Sequence, residues 1–452
     1  MLRDDIQRAP ATGPGPRSLE LFDRAARVFP DGTTRATVER DPAPIYVARG
    51  DGAYLVDVDG NRFLDLNGNF TTLINGHGFA PVCEAVERLL KDGTCFSNPT
   101  IHEIALAELI CERIPAVEQV RFVNTGTEAV MFAIKAARAL TGRPAIAKIE
   151  GAYHGAYDWA EVGQIGTPAT WGTPEAPVTV PLYAGQPQSV MDEVVVLRLN
   201  DVEGARKHLT ANADRLACVL LDPCPSRAGL IPPDPAFIAA IEETARQNGI
   251  LIVCDEVLNL RQSYRGASDK YGVHPDLVAM GKIIGGGFPI GAIGGLKSAM
   301  RAFDGSKGKA PLPQGGTFSA NPVSMVAGLA AMTAMTPEQF DRLDSLGDRL
   351  RSGLNTAIAR RDANFSVTGA ASLFRLHPKR RIPREFRDAH TNPAETLVMK
   401  ALGRFFRANG IVLPSAAAAC LSTPMTGSDV DLIVETFDRF LQTEHANAKV
   451  TA

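Results

Sequence analysis

Four places in the sequence pair a reactive side chain with a setting that would make it act. Lys282 ends the apolar run LVAMGK and is followed by IIGGGFPIGAIGG. A lysine so placed must find a carboxylate or lose its charge, and an uncharged amine attacks aldehydes to form a Schiff base. Asp255 stands directly behind ILIVC, where an ionised carboxylate is costly to desolvate unless a cation or donors meet it. A cationic ring nitrogen would be such a partner, and capping the next helix is the plainer use. Thr125, Gly126 and Thr127 follow QVRFVN and open a helical pattern. Free N–H groups and the macrodipole can hold a phosphate there, although the same residues also make an ordinary cap. Tyr153 and His154 lie between two glycines in GAYHGAYD, where an aromatic ring either covers a planar ligand or fills a gap in the core.

Each of these places comes just after a short apolar run. The runs QVRFVN, AIAKIE, ACVLLD and ILIVCDEV alternate with helical stretches such as IHEIALAELICERI and PAFIAAIEETARQNG, the pattern of an α/β fold with a mostly parallel sheet. In such folds ligands sit at the carboxyl ends of the strands. Before this region the chain reads as frayed or extended to about Ser18. A short helix follows, SLELFDRAARVF, and then a small antiparallel meander, IYVARGDGAYLVDVDGNRFLDL. After it come the helical pattern PEQFDRLDSLGDRLRSGLNTAIARR, mixed elements and a closing helix. The expected division is residues 1–80 as an N-terminal part of a small domain, 81–330 as the large ligand-binding domain, and 331–452 as the C-terminal part of the small one. The segment 163–181 reads as a long loop.

Composition removes several classes of function. Lys plus Arg number 47 against 50 acids, a formal net charge of -3, which gives no electrostatic case for nucleic acid or an anionic membrane. The seven cysteines are scattered, with no C-x-x-C pair, as expected of reduced thiols in the cytoplasm rather than disulfides or zinc. No signal peptide or membrane-span pattern is present. The glycine cluster also fails competing motifs. Asp276 stands where a P-loop needs its first glycine, and Ile290 where a dinucleotide fingerprint needs its last. His102-Glu103 lacks the second histidine of a zinc protease, and there is no G-x-S-x-G elbow.

A phosphate cup, a flat aromatic, a carboxylate and, 27 residues after it, a lysine are the groups that pyridoxal 5'-phosphate (PLP) uses. From about Phe29 onward the sequence resembles the class-III (omega) aminotransferases of fold type I. The resemblance rests on NTGTEAVMFAIKAARALTGR, EGAYHG, CDEV, GVHPDLVAMGKIIGGGFPIGAIGG and GGTFSANP, in that order. It is nearest to the glutamate-1-semialdehyde aminomutases and β-amino-acid aminotransferases. It implies a large domain with a mostly parallel sheet and a smaller α+β domain built from both chain ends.

The resemblance also implies roles. Lys282 would carry PLP as a Schiff base and shuttle a proton, and Asp255 would keep the pyridine nitrogen protonated. Tyr153 and Val257 would face the two sides of the ring, with His154 among the cofactor-binding residues. Gly126 and Thr127 would hold the phosphate. Thr317 would reach the phosphate of the neighbouring subunit's cofactor in a homodimer with shared sites, and Arg35 would bind a substrate carboxylate. Two departures matter. Asp222-Pro223 stands where the family usually has Glu-Pro, and LPSAAAACLS, residues 413–422, is alanine-rich where some β-amino-acid relatives place a second arginine. That second departure argues against a dicarboxylate and for an apolar or aromatic substituent. Transfer of an amino group between a β-amino acid, amino aldehyde or amine and a keto acid is therefore expected. The alternatives are an aminomutase or racemase, or a binding protein that merely keeps the cofactor.

Overall fold

A computed structural model of the chain describes residues 13–40, 43–414 and 418–450, with side chains to 443. The first twelve residues of the opening segment, and residues 415–417 of the alanine run, therefore lie outside the described residues. The alternating residues after position 46 form the expected meander: β1 (Val47–Asp51), β2 (Tyr54–Asp57) and β3 (Arg62–Asp65), with Leu55 opposite Phe63.

The apolar runs form one seven-stranded sheet. Its strands are β4 (Gln119–Val123), β5 (Ala145–Ile149), β6 (Val194–Leu197), β7 (Leu216–Leu221), β8 (Leu251–Asp255), β9 (Leu277–Gly281) and β10 (Gly291–Gly295), in the spatial order β4-β10-β9-β8-β7-β5-β6. Pairing is parallel from β9 to β6, and β10 runs antiparallel to both of its neighbours. Every residue of β5, β7 and β9 is buried, because helices cover both faces and the strands have no polar side. On one face, helix Gly126–Thr141 buries Ala129, Ala133 and Ile134 with Leu277 and Ile293. On the other, Phe237 and Ile241 of helix Pro235–Gln247 pack with Val219 and Ile252. Each fully buried Leu, Ile or Phe contributes about 1.5–3 kcal/mol, so the strand ends are held firmly.

The glycines after Lys282 do more than turn the chain. GAIGG is itself a strand, and crowding dictates its composition. A Cβ at Gly291 would lie 2.0 Å from the Thr125 carbonyl oxygen, and one at Gly295 would lie 2.3 Å from that of Asp276. Only glycine lets the antiparallel insertion fit.

In the C-terminal part, helix Pro337–Arg361 packs on helix Gly427–Val450. They accompany an antiparallel sheet of β11 (Ser366–Thr368), β12 (Leu373–His377) and β14 (Ala419–Cys420). A further strand, β13 (Ile411–Val412), pairs parallel with β3, so the two ends of the chain share a sheet. The loop 163–181 is irregular apart from a two-residue hairpin, Gly172–Thr173 with Ala176–Pro177.

Candidate active site

Of the sequence-selected groups, Asp222, Asp255, His154, Val257, Gly126, Thr127 and Lys282 come together at the carboxyl end of the large sheet, whereas no contact links Arg35 or Thr317 to them among the described residues. Asp255 ends β8, and its register partner on β9 is Ala279, three residues before Lys282. His154 Nδ1 lies 2.7 Å from Asp255 Oδ2, and the Val257 N–H donates to Oδ1 at 2.9 Å. Burial holds the His154 pKa below its ordinary value, although the bond to Asp255 pulls it upward. The neutral ring therefore donates Nδ1–H to Asp255, and its buried Nε2 has no partner among the described residues.

Lys282 has φ +50, a left-handed backbone. For a long side chain this costs about 1–3 kcal/mol and is kept only where surrounding packing enforces it. Burial draws its amine down to about 8, against the opposing pull of Asp255 and Asp222. Asp222 follows β7 and is buried; its Oδ1 accepts from the Cys224 N–H at 3.0 Å and from Asn259 Nδ2. Burial, and then the charge of Asp255, push its carboxyl well above the usual carboxylate range.

The helix that follows β4 supplies a cradle. The Thr125 hydroxyl is taken by the cap, accepting the Glu128 N–H at 3.1 Å, whereas Thr127 Oγ1 accepts the Ala156 N–H at 3.1 Å. A Cβ at Gly126 would come within 2.8 Å of Val257 Cγ1, and one at Gly155 within 2.4 Å of Thr127 Oγ1, so both glycines keep this corner open. Tyr153 is 46% exposed, with the Arg227 guanidinium carbon 4.3 Å from its ring centroid. Arg35 donates to Asn69 Oδ1 at 3.3 Å. Thr317 is exposed and makes no hydrogen bond among the described residues.

Other residues that shape the site escaped the sequence reading. Gly68, Asn69, Phe70 and Thr71 all have positive φ, +52, +50, +55 and +72, a left-handed turn in place of the usual right-handed one. Buried Arg261 holds it, donating to the Thr71 carbonyl at 2.7 Å and also to the Ser372 hydroxyl and Leu421 carbonyl. Lys148, buried in β5, donates to the carbonyls of Ala152 (3.1 Å), Ala160 (2.5 Å) and Val162 (2.9 Å), bracing the loop that carries Tyr153 and His154. A lysine inside the apolar run AIAKIE was its available signal; Arg261 gave none.

These groups fit PLP. A nucleophilic amine just past the end of one strand and a buried carboxylate at the end of its neighbour stand together, a glycine-opened helix N-terminus can take the phosphate, and a half-exposed aromatic is at hand for the ring. Among the described residues, no cluster of side chains could hold a metal ion and no helix is long and apolar enough to cross a membrane.

Comparison with known proteins agrees. A family model described as aminotransferase class-III matches residues 36–418. Glutamate-1-semialdehyde 2,1-aminomutase of Methanopyrus kandleri is 37% identical over 430 residues, covering 94% of this chain and 97% of its own. An omega-transaminase from Sphaerobacter thermophilus has a TM-score of 0.91 at 47% identity, over 95% of this chain and 98% of that one. A transaminase solved with PLP bound has a TM-score of 0.88 at 38% identity, over 96% of this chain and 99% of that one.

Proposed function

Since the chain belongs to the class-III aminotransferases and is a PLP-dependent enzyme, we propose that it moves an amino group between a β-amino acid, amino aldehyde or amine and a keto acid, with Lys282 holding the cofactor between turnovers and released by the incoming amine. The single observation that carries this reading is the placement of Lys282 and Asp255 at the ends of adjacent strands, Lys282 directly after Gly281, with its amine drawn down to about 8.

When bound, PLP supplies an aldehyde that condenses with amines and a ring that accepts an electron pair. The protein does the rest. A Lys282 amine that is partly neutral near pH 7 can take a proton from substrate carbon and return it. Asp255, its two oxygens fixed by His154 and by the Val257 N–H, holds the proton at the ring nitrogen. Gly126 and Thr127 hold the phosphate, Tyr153 and Val257 face the two sides of the ring, and Asp222 with Asn259 lies on its phenolic side. The resemblance makes Arg35, which donates to Asn69 Oδ1 at 3.3 Å, one candidate for a substrate carboxylate.

In this reading residues 81–330 bind PLP, while 1–80 and 331–452 make the smaller domain. We place the enzyme in a homodimer whose Thr317 reaches the partner's cofactor. Support comes from the exposure of Thr317 and from exposed apolar side chains at Leu90, Phe96, Ile101, Ile104 and Phe318, a surface suited to a protein partner. The seven cysteines are all free, which supports a cytoplasmic location.

Similarity to glutamate-1-semialdehyde aminomutases favours a second reading, intramolecular isomerisation. The two readings separate when the holoenzyme receives one amino compound and no keto acid. Transfer stops after one equivalent of pyridoxamine phosphate has formed; isomerisation continues without an acceptor.

A further inference from the structure

Two guanidinium groups, one in a short loop and one bonded to that loop's carbonyls, have no carboxylate partner among the described residues. Arg227 lies in the loop after β7, five residues beyond Asp222. Arg375 lies on β12, and its Nη1 donates to the carbonyls of Ser226 at 2.6 Å and Arg227 at 3.0 Å. Among the described residues neither guanidinium pairs with an acid, whereas Arg198, Arg361 and Arg387 all do. Burial, and then the nearby charge of Arg227, draw Arg375 down to about 10. Like charges placed together are unfavourable until an anion joins them.

Arg227 differs from the other cations of the interior. Buried Arg261 spends its donors on a hydroxyl and two carbonyls. The Arg227 guanidinium makes no hydrogen bond among the described residues and rests on Tyr153 alone. Its loop, however, is fixed. The Leu230 N–H donates to the Pro225 carbonyl at 2.9 Å, Thr368 Oγ1 to the Gly229 carbonyl at 2.6 Å, and the Ala418 N–H to Ser226 Oγ at 2.8 Å. A planar five-donor fork with unused donors, on a braced loop beside the cofactor-facing ring, suits bidentate binding of a carboxylate.

We propose that Arg227, braced by Arg375, binds the carboxylate of the amino-acid or keto-acid substrate. This rests on the aminotransferase reading and deepens it. It assigns the enzyme to carboxylate-bearing substrates, and it makes up for the alanine-rich segment with an arginine from a different loop. The carboxylate of the cofactor's amino donor and that of the acceptor share this chemistry, and the half-reactions tell them apart.

The test compares the holoenzyme with Arg227→Met and Arg227→Lys on 3-amino-3-phenylpropanoate, on 1-phenylethylamine (the same amine without the carboxylate), and on pyruvate in the reverse half-reaction. Arg227→Met should raise KM for the amino acid about 10- to 100-fold, the weight of one charged hydrogen-bonding contact. It should leave kcat within a few-fold and KM for 1-phenylethylamine unchanged, and Arg227→Lys should recover part of the loss. A shift confined to one half-reaction supports the proposal and assigns the carboxylate to that substrate. Equal effects on both amines, no effect on either, or discrimination lost only in Arg35→Met would overturn it.

A second measurement needs no turnover. Calorimetry on the holoenzyme should show 3-phenylpropanoate binding and 3-phenylpropanamide not binding, with the selectivity lost in Arg227→Met and kept in Arg35→Met; equal binding of the two, or selectivity kept in Arg227→Met, overturns the proposal. If neither amine is turned over yet the acid still binds selectively through Arg227, the reading of these amines as donors fails while the carboxylate subsite stands.

Discussion

His154 and Asp255 lie on neighbouring loop and strand ends with Nδ1 and Oδ2 2.7 Å apart, and both are buried. The imidazole is the aspartate's only side-chain hydrogen-bond partner among the described residues. The two therefore act as a unit. Asp255→Asn should slow the half-reaction with an amine by about 10²–10³, and His154→Phe should slow it less. The double variant should be no slower than Asp255→Asn alone, because groups acting together are not additive. Stopped-flow absorbance of the cofactor measures all three, and a multiplicative loss in the double variant would show independent roles.

The Lys282 amine should titrate near 8 in cofactor-free protein, well below the ordinary lysine value of 10.5. The neutral amine reacts, so labelling by acetic anhydride should reach half its maximum near that pH. The charge of Asp255 raises the value, so Asp255→Asn should move the midpoint lower still. Mass spectrometry of the peptide containing position 282, labelled across about pH 6 to 11, reads the shift directly. Borohydride treatment of holoenzyme should leave a covalent cofactor adduct that Lys282→Ala lacks.

Gly126 and Val257 limit each other's size. With a Cβ on residue 126 only 2.8 Å from Val257 Cγ1, Gly126→Ala must push the valine aside, and PLP affinity should fall about tenfold or more, the effect of about 1.4 kcal/mol. Adding Val257→Ala removes the colliding methyl groups and should recover much of the loss. Cofactor titration by fluorescence checks this, and a double variant as weak as Gly126→Ala would place the fault elsewhere.

Stability should fall in mild acid through His377. Burial, and then the charge of Arg375, draw its pKa from 6.5 to about 3, while Nε2 is 2.8 Å from Thr368 Oγ1. Between those values the unfolded chain binds a proton that the folded chain excludes, so stability falls as pH is lowered through that window. The slope approaches about 1.4 kcal/mol per pH unit. Urea unfolding of wild type and His377→Asn at several pH values should show a shallower acid slope in the variant.

How far the sequence could be read depended on whether a residue's signal was local. Lys282 and Asp255 each close an apolar run and Gly126 comes three residues after one, so strand, strand end and ligand position could be read together. The strand Gly291–Gly295 could not, because its glycines answer to carbonyls of Thr125 and Asp276 that come close only in the folded sheet. Arg227 and Arg375 are 148 residues apart in sequence, and each alone resembles a surface charge. The left-handed turn at 68–71 was equally hidden, since Phe70 and Thr71 are poor candidates for positive φ and take it only with Arg261 holding the Thr71 carbonyl.

The parallel pairing of Ile411–Val412 with Leu64 and Asp65 also bears on how the chain is made. During synthesis the meander emerges long before the strand that covers its β3 edge, since Leu64 and its partner Ile411 are far apart along the chain. Until Ile411 has emerged, that edge is an exposed template for other nascent chains. This enzyme should therefore depend on chaperones that bind unpaired strands, and slowing elongation ahead of codon 411 should lengthen the period in which it aggregates.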